Sequence, residues 1–494
     1  MKNVVLRIHP TDNVAVALQP LAKGTAVEVD GICLTAIDDI PTGHKIALAA
    51  IACNQDVIKY GYPIGHACVD IVQGQWVNEH CLKTNLSGTQ DYTYKPQRIE
   101  PRFQQEELTF MGYRRSNGEA GIRNELWIVP TVGCVNGVCQ RLAEEMRRET
   151  GSGDIFAYTH NFGCSQLNGD HENTRKILRD MVHHPNAGAV LVVGLGCENN
   201  QPAAFEQFCG DYDRERVRFV TIQQIEGDET ETCLAHLREL YALMQQDHRE
   251  PCPLSLLRVG LKCGGSDGFS GITANPLLGV FSDWLVAQGG SVVLTEVPEM
   301  FGAESILMNR CQTEELFTKT VNLINDFKNF YLRHGEPVGE NPSPGNKAGG
   351  ISTLEEKSLG CTQKCGTTMV RSVLDYGERL HSAGLSLLSA PGNDLVAATA
   401  LAASGCQIIL FTTGRGTPFG TFVPTLKVST NSLLFNNKPT WMDYNAGSLI
   451  TGTSMEVLFR NLKDLIMEVA NGRRVRNEMN GYREMAIFKT GITL

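Results

Sequence analysis

Four cysteines, Cys134, Cys164, Cys197 and Cys263, each adjoin a glycine at the end of a short apolar run. Thiolates so placed suit iron, zinc or an iron–sulfur cluster, provided that their loops converge. The same glycine-rich loops present successive backbone N–H groups that can cradle a carboxylate, which makes Ser266 and Asp267, next along from Cys263, candidates for substrate binding. Arg415 stands between Gly414 and Gly416 directly after another apolar run, and its planar fork matches a carboxylate bidentately. Lys347, at the end of Asn341-Pro342-Ser343-Pro344-Gly345-Asn346-Lys347, becomes a general acid or base if burial lowers its pKa. Imidazole titrates near neutrality and ligates iron, so His9, His44 and His160 are candidates for base, acid or metal ligand. A cysteine beside a glycine also serves as a small buried residue, and a tight turn wants glycine for its backbone alone. Neither glycine-rich segment is a nucleotide motif: Asn199 replaces the third glycine after Gly194-Leu195-Gly196, and Cys263–Gly271 lacks a Gly-Lys-Ser/Thr end.

These residues need a frame that brings strand ends together. Residues 1–85 read as a small β unit, with short runs such as Val14–Leu18 and Val57–Tyr60 punctuated by glycines. A polar stretch over 86–110 reads as a linker. From there apolar strands, glycine-rich loops and amphipathic helices alternate, which predicts α/β domains with a mainly parallel sheet. Pro251-Cys252-Pro253 interrupts the helical pattern and divides 111–250 from 251–494. Ligands of such sheets bind beyond the carboxyl ends of the strands, where the residues named above fall.

The chain has 494 residues, 42% of them apolar, enough for more than one core. A net charge of -10 with no basic stripe argues against nucleic-acid binding, so a small anionic substrate needs a local cationic site. No apolar run reaches the ~18 residues of a membrane span, and no signal-like apolar core follows the N-terminus. Sixteen scattered cysteines fit a reducing compartment better than a disulfide framework, and the expectation is a cytoplasmic protein. Homo-oligomerisation is left open.

Taken in order, Asp12-Asn13-Val14-Ala15, Gly43-His44-Lys45, Lys59-Tyr60-Gly61, Gly121–Glu125, Gly194–Glu198, Cys263–Asp267, Asn341–Lys347, Gly414–Pro418 and Ile487–Gly491 resemble the altronate and galactarate dehydratase family from end to end. Thr131–Gly137, Pro298–Glu304 and Ile487-Phe488-Lys489 look like the altronate branch. The resemblance implies an N-terminal β-clip module of the SAF type, followed by a larger catalytic α/β region. It also implies a metal-assisted hydro-lyase converting D-altronate to 2-dehydro-3-deoxy-D-gluconate in hexuronate (galacturonate) breakdown. The metal expected is Fe2+, with Mn2+ as a substitute and an iron–sulfur cluster as the alternative. The metal's ligands are then the four strand-end cysteines, or His9 and His44. His44 or His160 is the expected base and His9 or Lys347 the acid. A relative acting on galactarate or a sulfonated hydroxy acid is the second reading. A sugar-acid sensor is the third, although no DNA-binding helix pair is recognisable.

Overall fold

The structure is a computed structural model that describes residues 4–494: a small antiparallel β module followed by a larger region built on two parallel sheets. In the module Val14–Ala17, buried at every position, lies between Val5–Leu6 and Lys45–Ala47, with Trp76–Val77 on the outside of Lys45–Ala47. Asp56–Lys59, Tyr62–Ala67 and Leu82–Lys83 form a second, three-stranded sheet. A hairpin joins Ala26–Val29 to Ile32–Thr35 through Asp30 and Gly31, both at positive φ (49° and 78°), as a two-residue hairpin turn requires.

Residues 84–108 carry no strand or helix, but they are no loose tether. Leu86, Tyr92, Tyr94, Phe103 and Leu108 pack against the main core; the Tyr94 hydroxyl donates to the Cys311 carbonyl at 2.8 Å, and the Tyr92 hydroxyl to Glu304 at 2.5 Å. The segment at 250, read from sequence as a domain boundary, is strand Glu250–Pro253, paired antiparallel with Thr109–Arg114. Its two prolines are accommodated because the strand lies at the edge of its three-stranded sheet, where a missing N–H costs no ladder bond.

The smaller parallel sheet has the order 155–157, 125–130, 187–194, 217–221. Leu126 and Ile128 pack one face against the helices Asn136–Thr150 and Glu229–Met244, while Trp127 and Val129 pack the other against Asn168–Val182 and Pro202–Cys209. Burial on both faces is why Glu125–Pro130 reads as a continuous apolar run rather than an alternation. The larger sheet has the order 370–374, 384–388, 291–294, 258–263, 408–413, 425–429, 444–445, again all parallel. Helix Ala274–Ala287 covers one face and Asp394–Ala403 the other. The sheets meet at their amino-terminal ends, where Asn186 Nδ2 donates to the Gln407 carbonyl at 2.9 Å.

Each order reverses once. In the smaller sheet the reversal falls between 125–130 and 187–194; in the larger, between 258–263 and 408–413. Loops leaving two such strands diverge to opposite faces and open a crevice at their carboxyl ends. All the candidate residues except His9 divide between these two crevices.

Candidate active site

At the larger crevice, strand Arg258–Cys263 runs into Gly264-Gly265-Ser266-Asp267 and strand Ile408–Thr413 into Gly414-Arg415-Gly416. The buried Asp267 carboxylate ties the crevice together. It accepts from Thr430 Oγ1 (2.9 and 3.0 Å), Asn431 Nδ2 (3.0 Å), Ser270 Oγ (3.1 Å) and the Phe269 N–H (3.2 Å). Burial pushes its pKa up, and these donors oppose the shift by stabilising the anion. Gly414 has no alternative: a Cβ there would stand 2.2 Å from the Asp267 carboxyl carbon. Arg415 stays exposed, with its side chain starting beside Gly265. Ser266 is buried, its Oγ 2.7 Å from Cys263 Sγ and its carbonyl taking the Asn346 amide N–H at 2.9 Å.

Asn346 belongs to the helix Pro344–Ala348, whose N-terminus Ser343 caps. The serine and proline at its start are the capping signal that the sequence carried. The helix places the half-buried Lys347 at the crevice rim, and Gly349 and Gly350 beyond it abut the Gly43 turn of the N-terminal module. The Gly43 carbonyl lies so close to Gly268 and Gly350 that a Cβ on either would come within 2.0 and 2.4 Å of it. Close backbone approach is thus what brings His44 to the crevice.

His44 is 5% exposed, and burial lowers its pKa. Its Nδ1 accepts from Trp76 Nε1 at 3.1 Å, while Nε2 lies 3.3 Å from the Ala348 carbonyl. Indole N–H can only donate, so Nδ1 must hold a lone pair and the neutral ring carries its proton on Nε2. Protonation of Nδ1 would set two N–H groups against each other. The ring therefore offers the crevice a neutral donor rather than a base.

The module is locked by charge. Lys45 Nζ and Lys59 Nζ both reach Glu356 at 2.8 Å, one on each carboxylate oxygen, and all three side chains are buried. Burial pushes the Glu356 carboxyl up, but the two ammonium groups outweigh it and hold the pKa at about 2. A second buried network lies below the crevice floor. Lys357 pairs with Glu299 (2.8 Å), Lys364 with Glu296 (3.2 Å), and Lys262 with Asp394 (2.7 Å) and Glu296. Cys361 Sγ lies 3.1 Å from Glu299 Oε2. A hydrogen bond from Cys361 lowers the Cys263 thiol to about 5 against the upward push of burial. Sequence reasoning passed over Glu296, Glu299, Lys357 and Lys364 because charges in helical and turn contexts read as solvated surface.

The remaining candidates lie elsewhere. His9 is exposed on the module beside Gly61, its Nδ1 paired with Thr11 Oγ1 at 2.7 Å. His160, expected as a base, belongs to the smaller sheet: Nε2 donates to the Pro130 carbonyl (2.8 Å) and Nδ1 accepts the Phe162 N–H (3.1 Å). Burial lowers its pKa to about 4, and no lone pair is left to take a proton. The four cysteines do not share one site. Cys134, Cys164 and Cys197 leave neighbouring strands of the smaller sheet, while Cys263 is buried in the larger one. One motif, a strand running into Cys and Gly, was used in two separate sheets, and spacing cannot tell them apart.

Among the described residues no three His, Cys, Asp or Glu side chains are grouped so as to hold a single metal ion. A cavity of about 520 Å³ lined by Asn322, Phe330, Arg333, Asp375, Ser389 and Phe488 shares no residue with either crevice. No helix of the described residues is long and apolar enough to cross a membrane.

Comparison with known proteins matches the chain in three consecutive pieces. Residues 3–85 match the altronate/galactarate dehydratase SAF domain, 112–245 the D-galactarate dehydratase/altronate hydrolase second domain, and 254–493 the D-galactarate/altronate dehydratase C-terminal domain. The altronate dehydratase of Bacillus subtilis (strain 168) is 56% identical over 494 residues, 99% of each chain. That of Escherichia coli (strain K12) is 55% identical over 493 residues, again 99% of each. The galactarate dehydratase (L-threo-forming) of the same strain is 33% identical over 512 residues, 98% of this chain and 96% of its own.

Proposed function

Because this chain belongs to the altronate/galactarate dehydratase family, we propose that it is a hydro-lyase that removes water from D-altronate to give 2-dehydro-3-deoxy-D-gluconate. The observation that carries the reading is the gap between 55–56% identity to altronate dehydratases and 33% to galactarate dehydratase, each over nearly the whole chain. An iron requirement, a cytoplasmic location and a place in hexuronate breakdown complete the proposal.

In this reading Arg415 takes the substrate carboxylate, and Ser266 and Asp267 shape its cradle, Asp267 by fixing Thr430 and Asn431. The His44 Nε2–H, turned from the Ala348 carbonyl that it meets at 3.3 Å, donates to the carboxylate oxygen on which charge builds as C2 loses its proton, a neutral imidazole acting as electrophile. Lys347 carries that proton to the departing 3-hydroxyl. The C2–H and C3–O bonds break, a C2–C3 double bond forms, water leaves with no net gain or loss of protons, and the enol tautomerises to the 2-keto acid. No step is routed through a single metal ion, for which no convergent ligand set is present among the described residues.

A panel of D-altronate, galactarate and a sulfonated hydroxy acid, assayed for 2-keto product under anaerobic conditions with Fe2+, tests the substrate. D-altronate is expected to turn over fastest. Preference for galactarate would overturn the choice in favour of the other branch. Arg415→Ala should raise KM by about 10- to 100-fold, the equivalent of losing a charged hydrogen bond worth roughly 1.5–3 kcal/mol. Arg415→Lys, which keeps the charge and loses the fork, should recover only part of it. An unchanged KM in both variants would remove Arg415 from the site.

A further inference from the structure

We propose that Cys134, Cys164 and Cys197 hold an iron–sulfur cluster of the four-iron type, with the fourth iron left free of protein ligands. This deepens the iron requirement of the proposed dehydration and rests on it. Its starting point is the disagreement already met: a lone ferrous ion finds no set of three donor side chains among the described residues. A cluster makes a different demand, since each thiolate binds its own iron and the sulfurs need not close around one centre.

Three independent features favour the smaller crevice. Of the twelve cysteines after residue 111, nine are buried; the three that are not are these three. They leave three adjacent parallel strands, 155–157, 125–130 and 187–194, and two of them flank the strand-order reversal where open sheets take their ligands. Each also stands a few residues before a helix N-terminus, at Asn136, Asn168 and Pro202, where the helix dipole favours a bound group of net negative charge.

The loops interlock as one unit. The Gly133 N–H donates to the Phe162 carbonyl (2.9 Å) and the Asn200 N–H to the Gly163 carbonyl (2.9 Å), so the three segments are mutually fixed. Gln223 Nε2 donates to Cys197 Sγ at 3.5 Å, whereas Asn199 Oδ1 accepts the Cys164 S–H at 3.3 Å, a bond given up when that thiol loses its proton to iron. Amide donors to thiolate sulfur tune a cluster's potential. Asn136 and Asn200, in the same loops, each leave a buried Oδ1 without a hydrogen-bond partner. Cys263 lacks this setting: it is buried on the other sheet against Ser266 and Cys361. Assembly from ferrous iron and sulfide replaces three S–H protons by three Fe–S bonds and releases the protons, while two ferric ions accept the two electrons that the all-ferrous core gives up.

The test is anaerobic reconstitution of the full chain with ferrous iron, ferric iron and sulfide, followed by metal and acid-labile sulfide analysis and absorption and electron paramagnetic resonance spectra. About four irons and four sulfides per chain are expected. Cys134→Ser, Cys164→Ser and Cys197→Ser should each lower that content and lose the charge-transfer absorbance. Cys33→Ser should keep both. Far-UV circular dichroism confirms that the variants fold; should one of them not, alkylation protection of the same thiol in the reconstituted wild type replaces it. Turnover of D-altronate by a chain holding iron but no acid-labile sulfide would overturn the cluster and leave the substrate standing. A cluster without altronate turnover would do the reverse. A cluster retained in any of the three variants would overturn the assignment of that ligand and with it the three-thiol site.

Discussion

Replacing Glu356 by alanine is expected to destabilise the folded chain by about 3–5 kcal/mol, the usual consequence of stranding a buried charge. Here two ammonium groups are stranded, those of Lys45 and Lys59, neither with a second carboxylate in reach. Exchanging all three for apolar residues of similar size, Lys45→Met, Lys59→Met and Glu356→Leu together, should be far milder, since nothing charged is left to desolvate. Urea unfolding of both variants measures the contrast, and a loss below about 1 kcal/mol for Glu356→Ala would show that the bridge holds nothing. The pH dependence follows from the same carboxylate. Its folded pKa of about 2 lies below the ~4.3 of an unfolded glutamate, so its contribution is fully present above pH ~5 and lost as pH falls toward 2. Because the bridge seats the loop carrying His44, turnover should fall together with stability.

His44→Ala is expected to lower kcat by about 10²–10³, the cost of one hydrogen-bond donor to a developing oxyanion. His44→Gln separates donor from base: its amide N–H still donates, so a substantial part of the rate should return. If Gln is as inactive as Ala, the electrophile role fails. Trp76→Phe reads the same geometry from behind. Without the indole donor Nδ1 is free to protonate, and the imidazole pKa should rise, with burial alone left to hold it down. The variant should then lose activity on the acid side of neutrality, where the wild type does not. An unaltered pH profile in Trp76→Phe would mean that the tryptophan does not set the protonation of His44.

How far all this was legible in the sequence depends on the kind of information each feature carries. Strands such as Ala187–Gly194 and Ile408–Thr413 announced themselves, because burial on both faces writes an unbroken apolar run and the turn after it needs glycine. Positions at strand ends were readable for that reason, and Ser266, Asp267 and Arg415 were named from it. Which strands share a sheet was not readable, and that is how Cys263 came to be grouped with three thiols of the other sheet. The Trp76–His44 pair spans 32 positions and the Lys45–Glu356 pair 311, with no periodicity to connect either. His160 shows the opposite failure. Its residue type promised chemistry, but backbone groups on both nitrogens use it as a spacer between strand and loop.

The segment 84–108 has one more consequence, for covalent continuity. The module is held by the glycine seam at 43, 268 and 350, by the Lys45–Glu356–Lys59 bridge and by Thr353 Oγ1 donating to the Ile64 carbonyl at 2.5 Å, none of which involves that segment. Within it the Arg98 side chain is 94% exposed. A single tryptic cut there should yield two polypeptides that still migrate as one particle and still turn over substrate, separating only on dilution or acidification. The peptide bonds of the connector then serve synthesis and stoichiometry, one module for every catalytic region, more than they serve the finished molecule.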